Sequence, residues 1–218
     1  GDSATTPGLF QPLSNLGKLK TDGIDLTMNY NSDLGFAKLA LSFAGNWTHS
    51  SKFKATPTSI NRECVGFYSV NCSSIQPEFS WTQRTTLSFD NVDLSLLWRH
   101  ISAVSFEKAQ FDEDLAAAIA AGPSPTTGCP DPLGADPNAC IAEPQFRHIK
   151  AADYFDLSTR IGVGDNLTLT ITVANLFDKK PPIVGSTIGS TSFNSGNTYP
   201  STYDALGRSY RVGARLRF

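Results

Sequence analysis

Four cysteines, three histidines and an N-terminal Gly-Asp-Ser triplet are the residues of this chain whose types and spacing would support chemistry. The cysteines form two close pairs, Cys64 with Cys72 in "CVGFYSVNC" and Cys129 with Cys140 in "CPDPLGADPNAC". Metal sites favour tighter C-x2-4-C spacing with further ligands at hand. Pairs set in loops rich in Gly, Pro, Asn and Ser instead predict two local disulfides and an oxidising or extracellular compartment. Ser3 would be a hydroxyl nucleophile, but that chemistry needs the serine after a strand and a later Asp-x-x-His to supply the base, and neither is present. Asp131, Asp136 and Asn138 lack the spacing of a calcium loop. "GVGDN" lacks the third glycine and following helix of a dinucleotide fingerprint, so it is a turn. His49, His100 and His148 do not share one face and would not converge on a metal. The expectation is a chain with no catalytic set, no metal and no cofactor.

The elements that position these residues alternate with period two. "GIDLTMNYN" sets Ile24, Leu26, Met28 and Tyr30 against Asp25, Thr27 and Asn29, and "FAKLALSFAGNWTH", "FSWTQRTTLSF", "VDLSLLWRHISAV", "DYFDLSTRI", "LTLTITVANLF" and "SYRVGARLRF" repeat the pattern. Strict alternation predicts strands, seven in all. Leu97 and Ile101 break the pattern of the fourth. "FDEDLAAAIAAG" predicts a short helix with acids in its first turn and Gly122 and Pro123 at its end. The low charged fraction of 17%, with 17 glycines, 13 prolines and 14 phenylalanines, suits an all-β chain. The net charge of −2 points to no nucleic-acid partner. No apolar run is long enough for a membrane helix.

The connections alternate between short (32–35, 90–91, 162–166) and long (50–78, 106–147, 178–205), which puts all turns on one side of a meander and all loops on the other. Transmembrane barrels have this asymmetry. Trp47, Trp81 and Trp98 share the apolar parity near the long-loop ends, and Tyr30, Phe89 and Phe218 share it near the short-turn ends, as two lipid-interface belts would. The opposite parity carries Lys38, Arg84, Arg99, Arg160, Arg211, Arg215 and Arg217 with Asp25, Asp93 and Asp156, and is expected to line a wet lumen. A soluble sandwich or lipocalin-like barrel would also alternate, but loops of this length on one side only would be unusual in a compact domain.

"LKTDGIDLTMNY" (19–30), "VANLFDKKPP" (173–182) and "YDALGRSYRVGARLRF" (203–218) together resemble the closing part of the TonB-dependent receptors of the Gram-negative outer membrane. The first is similar to the family's "GID" strand, the second to its penultimate "NLFDK" signature and the third to its terminal "GR" strand ending in Phe. The resemblance implies that residues 1–218 are the C-terminal part of a 22-stranded barrel, a multi-pass outer-membrane protein whose plug domain, coupling box and other strands lie elsewhere. It implies a non-enzymatic, energy-coupled importer of a scarce nutrient: a ferric siderophore, vitamin or carbohydrate. Its implied partners are membrane lipid, the receptor's own plug and remaining strands, the TonB energy-coupling protein, the small-molecule nutrient, and the assembly machinery that reads Phe218. A non-transporting barrel serving as anchor or adhesin is the alternative. The basic inner wall would serve either an anionic ligand or acids on the plug, because buried charges require partners.

Overall fold

Alternation of apolar and polar residues becomes strand along most of the chain. The computed structural model describes residues 16–72, 75–121, 146–184 and 195–217. Its main sheet runs in chain order through β1 (Lys18–Asp33), β2 (Lys38–Lys54), β5 (Phe79–Ser88), β6 (Val92–Ile101), β9 (Ala152–Val163), β10 (Leu167–Ala174) and β11 (Ser209–Leu216). Every neighbouring pair is antiparallel. The sheet is open, with β1 and β11 at its edges.

The turns are short because local bonds close them at once. Leu34 N donates to Ala37 O at 2.9 Å and Phe89 N to Val92 O at 2.8 Å. At the other ends the long connections fold on one another. β3 (Arg62–Glu63) pairs with β2, while β4 (Phe67–Tyr68), β7 (Val104–Phe106) and β8 (His148–Ile149) form a second small sheet in which β4 and β7 run parallel. None of these four short strands follows from periodicity, since two or three residues display no period.

One helix, α1 (Lys108–Ala121), follows β7. It corrects the expected placement of the acids, for its first turn contains none. The helix starts straight out of β7, with Phe111 N donating to Glu107 O at 3.0 Å, so Asp112, Glu113 and Asp114 fall one turn later. There they bond sideways, Asp112 to Lys108 at 2.6 Å and Glu113 to Arg62 at 2.5 Å. Gly122 and Pro123 lie outside the described residues.

The buried core is Tyr68, Ile75, Val104, Ile149, Ala152, Tyr154, Val184, Tyr199 and Tyr203, with Ile101, Phe106 and Phe146 packed against it. All three long connections contribute, so they make one cap. The cap rests on the sheet face that carries Tyr154, which is the polar face. Ile101 breaks the alternation of β6 because it sits under this cap. The apolar face is left bare: Ile24, Met28, Leu94, Ile171, Val212 and Leu216 all lie on it and are exposed, Val212 by 76%.

Candidate functional site

The polar face of the sheet is a ladder of cross-strand rungs. One rung runs Thr27, Ala44, Thr82, Arg99, Tyr154, and the next runs Asp25, Asn46, Ser80, Ile101, Ala152. Arg99 is held between an acid and an aromatic ring. Its Nη2 lies 3.2 Å from Asp156 Oδ1 and its guanidinium carbon 5.2 Å from the Tyr154 ring centre. Arg160 grips Asp93 through Nε at 2.7 Å and Nη2 at 2.5 Å, near the short-turn end. Asn46 Nδ2 donates to Asp25 at 2.7 Å and Arg84 Nη1 to Ser95 Oγ at 3.1 Å. Lys38, Arg84, Arg211, Arg215 and Arg217 have no ion-pair partner among the described residues. The polar face therefore presents uncompensated positive charge, with Arg211 and Arg215 on β11 and Arg217 just beyond it, and would attract anions or acidic side chains.

The segments "NLFDK" and "GR" meet in space where wall joins cap. Asn175 is buried at φ +50°, and its amide closes a turn by accepting from Lys179 N at 2.8 Å and donating to Lys179 O at 2.9 Å. Its backbone N–H donates to Asp156 at 2.8 Å. Asp178 accepts from Arg208 N at 3.0 Å. The Lys180 ammonium at 2.8 Å, then that N–H, hold its carboxyl below the usual carboxylate range. Gly207 stands at φ +77°, and a Cβ there would come within 2.7 Å of Asp178 Oδ1. Asp204 completes the ring, accepting from Gly207 N at 3.1 Å while its own N–H reaches the Tyr154 hydroxyl at 3.3 Å.

The cap has its own polar centre. Cys64 and Cys72 are joined with Cα atoms 5.5 Å apart; Cys129 and Cys140 lie outside the described residues, as do Ser3, Asp131, Asp136, Asn138 and Phe218. Beside that bridge the buried Glu107 carboxylate takes Arg62 Nη1 at 2.8 Å and the Ser69 hydroxyl at 2.6 Å. Burial works to lower the Arg62 pKa, but its hydrogen bonds to Glu107 and Glu113 outweigh it and raise it. Burial pushes Tyr199 up to about 12 and drives Tyr68 and Tyr203 upward as well, so these phenols stay protonated.

The histidines have separate surroundings. His100 bonds Asp153 at 2.8 Å, His148 meets the Ser105 hydroxyl at 3.2 Å, and the His49 ring lies 5.5 Å from that of Trp47. On the outer face the tryptophans join a run of rings. Trp47 stacks on Phe79, Trp81 meets Trp98 edge-on at 4.6 Å, Trp98 stacks on Phe155, and Phe155 meets Phe177. Sequence reasoning named the tryptophans but missed Phe43, Phe79, Phe155 and Phe177 as members, although their parity was the same. Tyr30 and Phe89 are exposed on the same face near the short turns.

No family model matches the chain, and no curated protein matches it. Solved structures do, among them two mutants of the ferric enterobactin receptor PfeA of Pseudomonas aeruginosa, each at 12% identity, with TM-scores of 0.51 and 0.50. The match covers 91% of this chain and 22% of the receptor in each case. Both are receptors rather than enzymes, and at this identity the likeness is one of fold: the chain has the fold of a section of that receptor's β-barrel.

Proposed function

We propose that the chain is the C-terminal part of the barrel of a TonB-dependent outer-membrane receptor, which imports a scarce nutrient of the siderophore, vitamin or carbohydrate class. The observation that carries this reading is the inversion of the sheet. Its aliphatic face is bare while its core lies on the polar face beneath a cap of loops, an arrangement that water penalises and lipid favours. Among the described residues, the sixteen-residue outer edge of β1 and that of β11 have no strand beside them. In a bilayer such edges must be paired, so further strands of the receptor adjoin both. The unpaired arginines of β11 face a plug or an anionic nutrient.

Single cysteines at Thr58 and Ser195 of the intact receptor should react with an impermeant maleimide on whole cells, and one at Asn91 only after the outer membrane is disrupted. The reverse pattern would refute the topology. Deleting the energy-coupling protein should abolish nutrient uptake while leaving surface binding intact, a change to which a structural anchor would be indifferent.

A further inference from the structure

The hairpin of β1 and β2 is taller than the strand beside it. β5 starts at Phe79, opposite Trp47, whereas β1 and β2 stay paired beyond the Ile24–Trp47 rung out to Lys18 and Lys54. In that extension Lys20 stands directly opposite Lys52, and Lys18 directly opposite Lys54. Even positions of β1 share one face, so Lys18 and Lys20 continue the apolar face of Ile24, Leu26 and Met28. The register shift between Asp22 and Gly23 leaves His49 unpaired and brings Lys52 and Lys54 onto the same face. Glu63 on β3 lies opposite Lys52, but its oxygens already accept from the Ser50 hydroxyl and Ser51 N–H at 2.7 Å and from Val65 N–H at 3.2 Å. Asp22 lies one rung nearer the aromatic run. Among the described residues no acid forms an ion pair with any of the four lysines.

We propose that Lys18, Lys20, Lys52 and Lys54 bind phosphate groups on the saccharide headgroup of an outer-leaflet glycolipid. The inference rests on the outer-membrane reading and adds to it a binding site and a ligand class. Like charges directly opposite on neighbouring strands destabilise a sheet, and here two such pairs follow in succession. Lysines on a bare edge guard against wrong strand pairing, but Lys52 and Lys54 belong to β2, an interior strand paired with β1 along its whole length. An anion of more than one charge offsets the repulsion through charge-assisted hydrogen bonds. Face and height select which anion. The lysines are on the apolar face, so a plug or nutrient held against the polar face does not reach them. Trp47, whose Nε1 donates to Glu78 at 3.2 Å, marks headgroup level. The two lysine rungs stand about 14 and 20 Å past the Trp47 rung along the strand, or about 10 and 15 Å above it at the tilt of a barrel strand. The polar layer of a phospholipid leaflet is only about 5–8 Å deep. Phospholipid phosphates therefore sit too low, whereas phosphates carried on a chain of sugars extend to this height.

The test titrates the intact protein in detergent with a phosphorylated outer-leaflet glycolipid, with the same glycolipid after enzymatic dephosphorylation, and with phosphatidylglycerol. Bound lipid per protein is counted by mass spectrometry. Wild type should saturate with the phosphorylated glycolipid, and Lys20→Gln/Lys52→Gln should raise its half-saturation at least about tenfold. Lys18→Gln/Lys54→Gln should do the same, which keeps the test intact if one variant does not fold. Lys150→Gln, a lysine outside the hairpin, should bind as wild type does, and the dephosphorylated glycolipid should not distinguish any of the proteins. Without glycolipid the double variants should melt no lower than wild type, because each loses a like-charge pair. Coincident titrations of wild type and folded double variants overturn the proposal, as does equal binding of the dephosphorylated form. Phosphatidylglycerol binding as tightly as the glycolipid, and as sensitive to the variants, would overturn the argument from height. Failure of wild type to show the heat-resistant gel migration of a folded barrel would overturn the membrane reading itself, a separate result.

Discussion

Replacing Arg62 with Met isolates what holds the cap together. The Arg62 side chain is 11% exposed and that of Glu107 4%, so the substitution leaves a carboxylate in a buried site with only the Ser69 hydroxyl to bond it. Breaking a buried pair from one side costs about 3–5 kcal/mol. The surviving Ser69 bond puts this case near the lower end. The second contact of Arg62, to Glu113, adds little, because that carboxylate is 42% exposed and screened by water. Glu107→Gln keeps the shape and leaves Arg62 its bond to Glu113, so its cost should be only about 1–2 kcal/mol. Joining the two substitutions removes the stranded charge, and the double variant should be more stable than Arg62→Met alone.

The loss is local, since the cap can open while the strands stay paired. It is therefore measured by hydrogen exchange in the intact protein, comparing peptides that span 62–72 and 104–112 with those of β5 and β6. At 1.4 kcal/mol per decade, a loss of about 3 kcal/mol speeds exchange in the cap roughly a hundredfold and leaves the strands unchanged. Cap exchange within about twofold of wild type would refute the argument. So would a double variant no more protected than Arg62→Met.

Two further outcomes follow from the same geometry. Burial raises the Glu63 pKa, but bonds from Ser51 N–H, the Ser50 hydroxyl and Val65 N–H outweigh it and hold the folded-state value below 4.5. A depressed folded value means that its contribution is complete above about pH 4.5 and fades as pH falls through the folded value. Exchange across 50–65, corrected for its intrinsic pH dependence, should therefore rise on acidification, and Glu63→Gln should flatten that rise; an equal slope in both proteins would discard the assignment. Gly23→Ala would place a Cβ 2.4 Å from Trp47 O and 3.0 Å from Thr48 Cα, backbone atoms at the bulge between Asp22 and Gly23 that no rotamer change can clear. It should cost about 1–3 kcal/mol in thermal melting of the protein, whereas Gly213→Ala, which meets nothing within 4 Å, should be neutral. Equal melting of the two variants would be the contrary result.

The strands were legible in the sequence because alternation over eight or more residues leaves few other backbone solutions, and the side of each residue follows from parity alone. The cap was not legible. Its core joins Tyr68, Tyr154, Tyr199 and Tyr203 across separations of up to 135 residues, and no local period marks such contacts. One sign was present, since Ile101 is apolar on the polar face and sits where the cap lands. The buried centre of Arg62 and Glu107 left no sign, as either residue alone resembles an exposed loop charge. The polar face was legible as a set of charges but not as pairs. Arg99 and Asp156 stand on adjacent strands, two rungs' worth of side chains meeting diagonally, because Arg99 lies opposite Tyr154 in the register.

The family-like segments carry the deeper point, for the structure gives a physical reason why "NLFDK" and "GR" belong together although some thirty residues separate them. Arg99 rests on Tyr154 and pairs with Asp156. Asp156 takes the Asn175 N–H, and the Asn175 carbonyl accepts from Asp178 N at 2.8 Å. Asp178 takes the Arg208 N–H, Asp204 takes that of Gly207, and Asp204 N returns to the Tyr154 hydroxyl. Starting at Tyr154, the contacts pass through β6, β9, the turn after β10 and the entry to β11 before closing on the same ring. Each signature residue supplies something its neighbours cannot: Asn175 a side chain that serves as both donor and acceptor in a left-handed turn, and Gly207 a position without a Cβ where Asp178 needs the space. A change at any member loosens the point from which the last strand departs, and that strand's register decides which face of the sheet its arginines take.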